Sequence, residues 1–265
     1  MKICVCGKGG SGKSTLVALL AGAFKRSGKE VFVLDSDESN NSLYWLLGID
    51  GPPRPLMDMV GGKQGVQRKM VARFSKGEDE PAMSIWAMDH LSTDQIPDAY
   101  IATGEICNLV TTGKIHQSLE GCACPMGAVT REFLKILQLD PEEVALVDME
   151  AGIEHFGRGV EAYIDAVITV VEPSLESAVL AQKIMTLTQE AGAVFAGAVL
   201  NKISTSTQRE SIRSRLRDLS VPVIGVVEHL DEIQAAGLEG RPCPPVAAAE
   251  IDRIAGTLLL APGEM

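Results

Sequence analysis

The chain has 265 residues, of which 46% are hydrophobic, and its 35 acidic and 24 basic residues give a net charge of −11. This length suits one α/β domain or two small ones, with enough apolar residues for a large core. The negative charge excludes nucleic-acid or anionic-membrane binding driven by bulk electrostatics. No apolar run approaches the roughly 18 residues of a membrane span, and the first residues lack the pattern of a signal peptide. We therefore expect a cytoplasmic protein with no nucleic-acid and no membrane partner.

A predicted strand over residues 2–7 opens the chain and leads into a phosphate-binding motif. Gly7 to Ser14 matches the pattern G-x-x-x-x-G-K-[ST] completely. In this motif, backbone N–H groups of the turn and of the following helix point at phosphates. Lys13 is placed to reach the β/γ-phosphates, and the Ser14 hydroxyl can ligate Mg²⁺. The stretch predicts an ATP or ADP site formed by Gly9, Gly10, Ser11, Gly12, Lys13, Ser14 and Thr15.

Strands and helices alternate through the rest of the chain, which indicates a mostly parallel sheet with helices on both faces. We predict helices over residues 14–26, 125–137, 174–190, 207–219 and 244–260. We predict further strands over residues 30–34, 83–88, 106–111, 144–147, 166–171, 194–200 and 221–227. Proline and glycine clusters indicate a surface insertion at about 50–80. The predicted fold is a single doubly wound α/β domain over residues 1–265, with ligands bound beyond the carboxyl ends of the strands.

The motif K-G-G-x-G-K-[ST], which begins at Lys8, resembles the deviant Walker A motif of the MinD, ParA and nitrogenase iron protein class. The resemblance implies an ATPase that forms a nucleotide-sandwich homodimer. In such a dimer Lys8 reaches the phosphates bound by the partner chain and supplies charge stabilisation, as an arginine finger does in other P-loop enzymes. The alternative interpretation of Lys8 is a solvated loop lysine.

Three further positions carry the resemblance to this class. Asp37, which follows the strand over 30–34, resembles the switch I aspartate that orients the attacking water. The segment Asp148-Met-Glu-Ala-Gly152-Ile-Glu154 resembles switch II of MinD relatives. The resemblance implies that Asp148 holds the Mg²⁺ shell and that the Gly152 N–H approaches the γ-phosphate. Asp35 is expected to be a structural carboxylate.

Two segments resemble the adenine side of the class. Asn201, after the strand over 194–200, matches the position that hydrogen-bonds adenine. The segment Val221-Pro222-Val223-Ile224-Gly225 is similar to the adenine-side strand, which implies base contacts at Pro222 and Val223. Many relatives carry proline where this chain has Glu228, so the resemblance assigns no base contact beyond that point.

Cys122 and Cys124 lie two residues apart in a glycine-to-proline turn before a helix. Two thiols at this spacing can chelate one ion from one side, and a two-fold dimer would supply four. Four sulfurs suit Zn²⁺ in tetrahedral geometry or Ni²⁺ in square-planar geometry. The alternative is a pair of small buried residues at a helix start, and His116 is a weaker candidate for an additional ligand.

The remaining cysteines are expected to have no role in metal binding. Cys4 and Cys6 share the same spacing, but they lie on one face of the first predicted strand, where core packing is the simpler interpretation. Cys107 and Cys243 have no cysteine nearby in the sequence and are expected to be inert thiols.

The combination of K-G-G-S-G-K-S, C-A-C and D-M-E-A-G-I-E-H-F-G-R-G resembles the CooC-type nickel-insertion ATPases over nearly the whole chain, least so over 50–105. These serve carbon monoxide dehydrogenase, and a sister group serves acetyl-CoA synthase. The resemblance implies nickel or zinc held by Cys122 and Cys124 of both protomers, and a nickel-iron-sulfur client enzyme. Intrinsic turnover is expected to be slow, on the order of 10⁻² s⁻¹ or less.

Four other functions were weighed from the sequence. An ATP-switched iron–sulfur reductase like the nitrogenase iron protein would use separated cysteines, whereas iron–sulfur scaffold ATPases typically carry C-x-x-C. Nickel insertion into acetyl-CoA synthase would use the same site. A MinD- or ParA-like positioning protein would need a basic membrane or DNA face, and residues 247–265 contain a single basic residue, Arg253.

Overall fold

Apolar strands alternate with helices along the chain. The structure is a computed structural model that describes residues 1–39, 42–75, 84–114, 124–153 and 159–260. The side chains of residues 72–75, 124 and 161 are not described. The strands are β1 Lys2–Gly7, β2 Glu30–Asp35, β3 Leu91–Ser92, β4 Ala102–Thr103, β5 Asn108–Thr111, β6 Leu137–Gln138, β7 Glu143–Asp148, β8 Ala166–Val171, β9 Val194–Ile203 and β10 Val223–Glu228. The helices are α1 Lys13–Arg26, α2 Leu43–Leu46, α3 Leu56–Met59, α4 Gly62–Ser75, α5 Cys124–Ile136, α6 Leu175–Glu190, α7 Ser206–Asp218, α8 Asp231–Glu239 and α9 Ala248–Leu259.

Eight strands form one sheet in the order β10-β9-β8-β1-β7-β2-β5-β4, and β3 pairs with β6 separately. All neighbours in the large sheet are parallel except β4, which runs antiparallel to β5. The predicted doubly wound α/β fold is confirmed. Because seven strands share one direction, their carboxyl ends meet at one edge, where ligands bind in such sheets.

Alternate residues of β1 enter the two cores on either face of the sheet. Ile3 and Val5 pack with α1 and α9, whereas Cys4 and Cys6 pack with β2, β7 and α5. Both thiols are buried, at 2% and 0% exposure, and neither forms a disulfide. The prediction that this Cys-x-Cys pair is core packing is therefore confirmed.

The strand predicted over 83–88 is wrong for the residues that the structure describes, 84–88, of which 85–87 form bends. Ile85 and Trp86 are both buried, at 3% each, although neither belongs to a sheet. The Ile85 N–H donates to Glu132 Oε2 at 2.8 Å, and its carbonyl accepts from Lys69 Nζ at 2.6 Å. Side chains thus satisfy the backbone groups that a neighbouring strand would otherwise have satisfied.

The C-terminal part of the chain departs most from prediction. Helix α8 lies in a segment for which no element was predicted, although acidic residues open it and Gly240 closes it in the left-handed conformation, at φ +64°. The last helix begins at Ala248 instead of residue 244. Pro245 disfavours a helical conformation in the residue before it, Pro244. The predicted insertion over 50–80 contains two helices, α3 and α4.

Strand β10 lies at the edge of the sheet, and side chains of α9 cover its backbone. The Val226 N–H donates to Glu250 Oε1 at 2.7 Å, and Arg253 Nη2 donates to the Ile224 carbonyl at 2.9 Å. Glu250 and Arg253 also form an ion pair at 2.7 Å. These contacts occupy polar groups that an exposed edge would offer to another strand.

Candidate nucleotide site

The loop between β1 and α1 depends on glycine at two positions. Gly7 has φ +144°, and a Cβ there would lie 2.6 Å from the Val170 carbonyl oxygen. Gly12 has φ +98°, and a Cβ there would lie 2.2 Å from Asn201 Nδ2. The contact at Gly7 is with backbone, which cannot move aside, and the φ of Gly12 is one that other residues rarely adopt, so glycine is required at both positions.

The loop presents the start of α1 to the carboxyl edge of the sheet. Gly12 is the N-cap and has no side chain to occupy the first amide groups of the helix. These N–H groups and the positive end of the helix dipole therefore remain available to an anion. Lys13, the first residue of α1, is 6% exposed. The predicted phosphate-binding segment Gly9–Thr15 thus has the geometry that phosphate binding requires.

Ser14 and Asp148 meet beside this loop, as the predicted Mg²⁺ position requires. Ser14 Oγ donates to Asp148 Oδ2 at 2.6 Å. Asp148 is fully buried, and its other oxygen, Oδ1, accepts no hydrogen bond within the described part of the chain. A buried carboxylate oxygen without a donor, next to a hydroxyl oxygen, fits a hard divalent cation.

Burial raises the pKa of Asp148 to about 7, with a further contribution from the negative charge of Asp35. The two carboxylates occupy paired positions on adjacent strands, because Asp35 of β2 is in register with Asp148 of β7. Burial also raises the pKa of Asp35 to about 6, although Lys114 opposes this shift. A bound cation would stabilise the ionised form of Asp148 and lower its pKa.

Lys114 connects the end of β5 to the predicted switch I segment. Its Nζ lies 2.7 Å from both carboxylate oxygens of Asp35 and also donates to the Asp37 carbonyl. Asp37 is 5% exposed, and its Oδ1 accepts from Ser39 N at 2.9 Å. Sequence reasoning did not select Lys114, although its place directly after a predicted strand put it at the ligand edge.

Lys8 is held by two carboxylates of its own chain. Its Nζ lies 3.1 Å from Glu172 Oε1 and 2.8 Å from Glu176 Oε2, at the start of α6. The hydrogen bonds that Lys8 donates to Glu176 and Glu172 raise its pKa. The side chain is 32% exposed, so these contacts with Lys8 can exchange with solvent or with another anion.

Asn201 contacts the loop directly. Its Nδ2 donates to the Ser11 carbonyl at 2.8 Å. The next residue, Lys202, adopts φ +59°, and its Nζ donates to the Gly10 carbonyl. The carboxyl end of β9 therefore supports the loop from the side predicted to hold the base.

A cavity of about 350 Å³ lies beside Asn201, on the predicted base side of the loop. It is lined by Gly12, Thr15, Asn201, Lys202, Glu228, His229, Leu230, Ile233, Gln234 and Gly237. Six of these ten residues lie between Glu228, at the end of β10, and Gly237 of α8. The acidic first turn and the apolar residues Ile233 and Ala236 were the signals that could have revealed this helix.

Pro222 and Val223 do not line this cavity, and their role as base contacts stays a prediction. Val223 is paired with Ala198 in the middle of β9, whereas Glu228 is paired with Ile203 beyond Asn201. The carboxyl end of β10, at Glu228, contributes to the lining of the cavity.

The switch II segment lies against the loop. The Gly152 N–H donates to the Gly7 carbonyl at 3.2 Å, and the Met149 N–H donates to the Val5 carbonyl at 3.2 Å. A Cβ at Gly9 would lie 3.6 Å from Ala151 Cβ. The Gly152 N–H predicted to approach the γ-phosphate therefore has an internal acceptor in this conformation. Glu154 lies outside the described residues.

The predicted metal ligands lie in, or directly after, the undescribed stretch 115–123. Cys122 and His116 lie outside the described residues, and Cys124 begins α5 without a described side chain. Within the described ranges, no group of three or more His, Cys, Asp or Glu side chains could hold a metal ion. Burial raises the pKa of Cys107 to about 12 and that of Cys243 to about 11, which keeps both thiols protonated and poorly reactive.

The model of the CobQ/CobB/MinD/ParA nucleotide binding domain matches residues 3–243 of the chain. The chain belongs to this family. It is accordingly an ATP-binding P-loop ATPase. Within the described residues, no helix is both long and apolar enough to cross a membrane.

Members and neighbours of the family resemble the chain over nearly its full length. An uncharacterized ATP-binding protein of Methanocaldococcus jannaschii is 40% identical, covering 91% of this chain and 92% of that protein. The carbon monoxide dehydrogenase accessory protein CooC of Rhodospirillum rubrum is 30% identical, covering 96% of this chain and 93% of that protein. The structure of MinD from Pyrococcus horikoshii, complexed with Mg-ADP, has a TM-score of 0.67 at 19% identity and covers 97% and 95%. The last likeness concerns the fold alone.

Proposed function

We propose that the chain is a homodimeric ATPase that binds Ni²⁺ through Cys122 and Cys124 of both protomers. ATP hydrolysis then drives insertion of the nickel into a carbon monoxide dehydrogenase-type enzyme. The CooC relative supports this proposal, since it is 30% identical and covers 96% of the chain. Carbon monoxide dehydrogenase is named by that relative and is the client that we expect here.

The observation that carries the proposal is that the residues flanking the cysteine pair contact switch I on both sides. On one side, Lys114 binds both carboxylate oxygens of Asp35 at 2.7 Å. On the other side, Thr130 Oγ1 of α5 lies 2.9 Å from the hydroxyl oxygen of Ser36. Thr130 Oγ1 also lies 2.9 Å from the hydroxyl oxygen of Thr112, the residue after β5. A rearrangement of residues 35–37 would therefore act on both flanks of the metal-binding segment.

The nucleotide chemistry is assigned to residues at the carboxyl edge of the sheet. Lys13 and the amide groups at the start of α1 bind the phosphates, and Asp37 orients the attacking water. Ser14 and Asp148 would hold Mg²⁺, which neutralises charge on the β- and γ-phosphate oxygens when bound. Lys8 leaves Glu172 and Glu176 and reaches the phosphates of the partner chain.

Nickel is the cargo in this scheme, and four thiolates at the two-fold axis would hold it. ATP binding brings the two protomers together and places the thiolates around one ion. Hydrolysis relaxes the segment at Asp35 to Asp37, changes the thiolate geometry and releases the ion to the client. Metal affinity should therefore depend on the bound nucleotide.

Native mass spectrometry of the protein titrated with Ni²⁺ tests the proposal. Wild type, the Cys122→Ala/Cys124→Ala double variant and the control Cys243→Ala would each be measured with ADP and with a non-hydrolysable ATP analogue. We expect one ion per dimer in wild type and in the control, and loss of that ion in the double variant. Equal nickel binding by all three proteins would contradict the assigned site.

The same proteins separate nickel transfer from iron–sulfur chemistry. Anaerobic reconstitution with iron and sulfide would give a brown protein with four irons per dimer if the chain is a cluster carrier or reductase. The proposal predicts that reconstitution yields no such cluster. Nickel-dependent activation of apo carbon monoxide dehydrogenase, but not of apo acetyl-CoA synthase, would identify the client.

A further inference from the structure

A second cavity, of about 540 Å³, lies between α7, β10 and α9. Its polar lining consists of three arginines and two glutamates, Arg209, Arg213, Arg253, Glu228 and Glu250. Its apolar lining consists of Val226, Leu230, Val246 and Ala247. This arginine cavity shares Glu228 and Leu230 with the cavity beside Asn201, but none of the phosphate-loop residues lines it.

Two of the three guanidinium groups are held by carboxylates. Arg209 pairs with Glu228 at the end of β10. Arg253 pairs with Glu250 and also donates to the Ile224 carbonyl. Arg213 forms no ion pair with any residue that the structure describes. Three arginines against two glutamates leave one positive charge in the cavity, in a protein with a net charge of −11.

Arg209 and Arg213 line the cavity from one helix. They are four residues apart on α7, so their side chains share one face of the helix. The Nε atoms of both are buried, and neither has a hydrogen-bond partner within the described ranges. The charge of Arg213 is thus balanced neither by a described carboxylate nor by an acceptor at its Nε.

We propose that the arginine cavity binds a small organic oxyanion, with a phosphate or carboxylate group on an apolar body. The oxyanion pairs with the guanidinium group of Arg213, which no described carboxylate holds, because guanidinium groups match the oxygens of both anions. Leu230, Val246 and Ala247 contact the apolar body. This site is separate from the phosphate loop and goes beyond the proposed nickel function.

Isothermal titration calorimetry on full-length protein saturated with ADP and Mg²⁺ tests the site, because the nucleotide occupies the phosphate loop. The probes are phenyl phosphate, benzoate and, as an uncharged analogue, phenol. The test variant is Arg213→Gln, and the control is Arg217→Gln, which removes the same charge one turn further along α7. Arg217 is exposed and does not line the cavity. Thermal melts establish that both variants are folded.

We expect phenyl phosphate, benzoate or both to bind wild type and Arg217→Gln equally, and phenol to bind neither. Arg213→Gln should weaken anion binding at least tenfold. Stronger binding of phenyl phosphate identifies the ligand group as phosphate, and stronger binding of benzoate identifies it as carboxylate. The proposal is overturned if neither anion binds wild type, or if both arginine variants bind as wild type does. Equal weakening in both variants would also overturn it, since that result indicates general charge screening.

Discussion

Lys8 and Lys13 lie five residues apart in one loop, yet their surroundings differ in every respect. Lys13 is 6% exposed at the start of α1, within a loop that two glycines and Asn201 hold in place. Lys8 is 32% exposed and contacts two side-chain carboxylates of α6 and the loop before it. Lys13 thus lies in the buried, glycine-held part of the predicted phosphate site, whereas Lys8 is held by contacts that can be exchanged.

Under the proposed dimer mechanism, this difference separates nucleotide binding from switching within one short motif. In that mechanism, the buried Lys13 contributes to affinity in each protomer independently. An exposed cation in an exchangeable ion pair can move to a partner without disturbing the fold, since surface ion pairs stabilise weakly. The following predictions test this separation.

The largest effect is expected from Lys8→Ala. ATP turnover should fall by about 1,000-fold, because the partner chain loses the cation that stabilises the transferred phosphoryl group. ADP affinity should stay within about threefold of wild type, as expected when one protomer alone forms the ground-state site. Steady-state hydrolysis and ADP titration measure the two values, and Lys29→Ala serves as a surface-lysine control. Normal hydrolysis by Lys8→Ala would refute the role across the dimer.

Lys13→Ala should instead weaken ADP binding in each protomer. Loss of a buried cation that contacts phosphate costs about 2–5 kcal/mol, so ADP affinity should fall by about 30-fold or more. Fluorescence titration with a labelled ADP measures the loss. If ADP affinity changed less than about threefold, Lys13 and Lys8 would not differ as the structure indicates.

The pH dependence of Mg²⁺ binding should report Asp148. Mg²⁺ binds the ionised carboxylate, and the pKa of Asp148 is about 7. Affinity for ADP·Mg²⁺ should therefore rise about eightfold from pH 6 to pH 7.5. Asp148→Asn should bind more weakly and lose this dependence. A pH-independent affinity in wild type would show that another group holds the cation.

The same carboxyls should make the metal-free protein less stable as pH rises. In the folded state the pKa of Asp35 is about 6 and that of Asp148 about 7, against about 4 in an unfolded chain. The unfolded chain therefore loses these protons first, and the free energy of unfolding falls as pH rises from about 4 to 7. Chemical denaturation over this range measures the slope, which Asp148→Asn should reduce.

The smallest effect is expected from Glu176→Gln. Removing one of the carboxylates that hold Lys8 should strengthen ATP-dependent dimerisation by about two- to fivefold, the range of a surface ion pair. Analytical ultracentrifugation with a non-hydrolysable ATP analogue measures this change. Glu190→Gln, at the far end of α6, is the matched control. Weaker dimerisation of Glu176→Gln would mean that Glu176 contacts the partner instead of retaining Lys8.

The phosphate loop was predictable because one continuous segment forms it. The strand, the glycine-rich turn and the helix start lie within residues 2–15, and each residue type has a local reason to be there. The sheet was predictable for a similar reason, since apolar strands alternate with helices along the whole chain. Asp148 was predictable as a candidate Mg²⁺ ligand from its place directly after a buried strand.

The remaining parts of the site depend on contacts between distant segments. Lys114 meets Asp35 across 79 residues of sequence, and Lys8 meets Glu172 across 164. Pro222 and Val223 were assigned to the base from the resemblance, whereas the cavity beside Asn201 is lined by Glu228 at the carboxyl end of β10. Helix α8 was not predicted, so the residues that it contributes to the cavity beside Asn201 were not predicted either.

The sequence by itself determined the family-wide chemistry of this protein: a nucleotide bound at a glycine loop, on a parallel sheet, beside a carboxylate that can hold Mg²⁺. Only the tertiary structure decided which charges are neutralised and which remain. It pairs Lys8 with Glu172 and Glu176 and Lys114 with Asp35, and it leaves Arg213 without a carboxylate among the described residues. The physical reason is that ion pairing depends on distances of a few ångströms between atoms, which the order of residues along a chain does not specify.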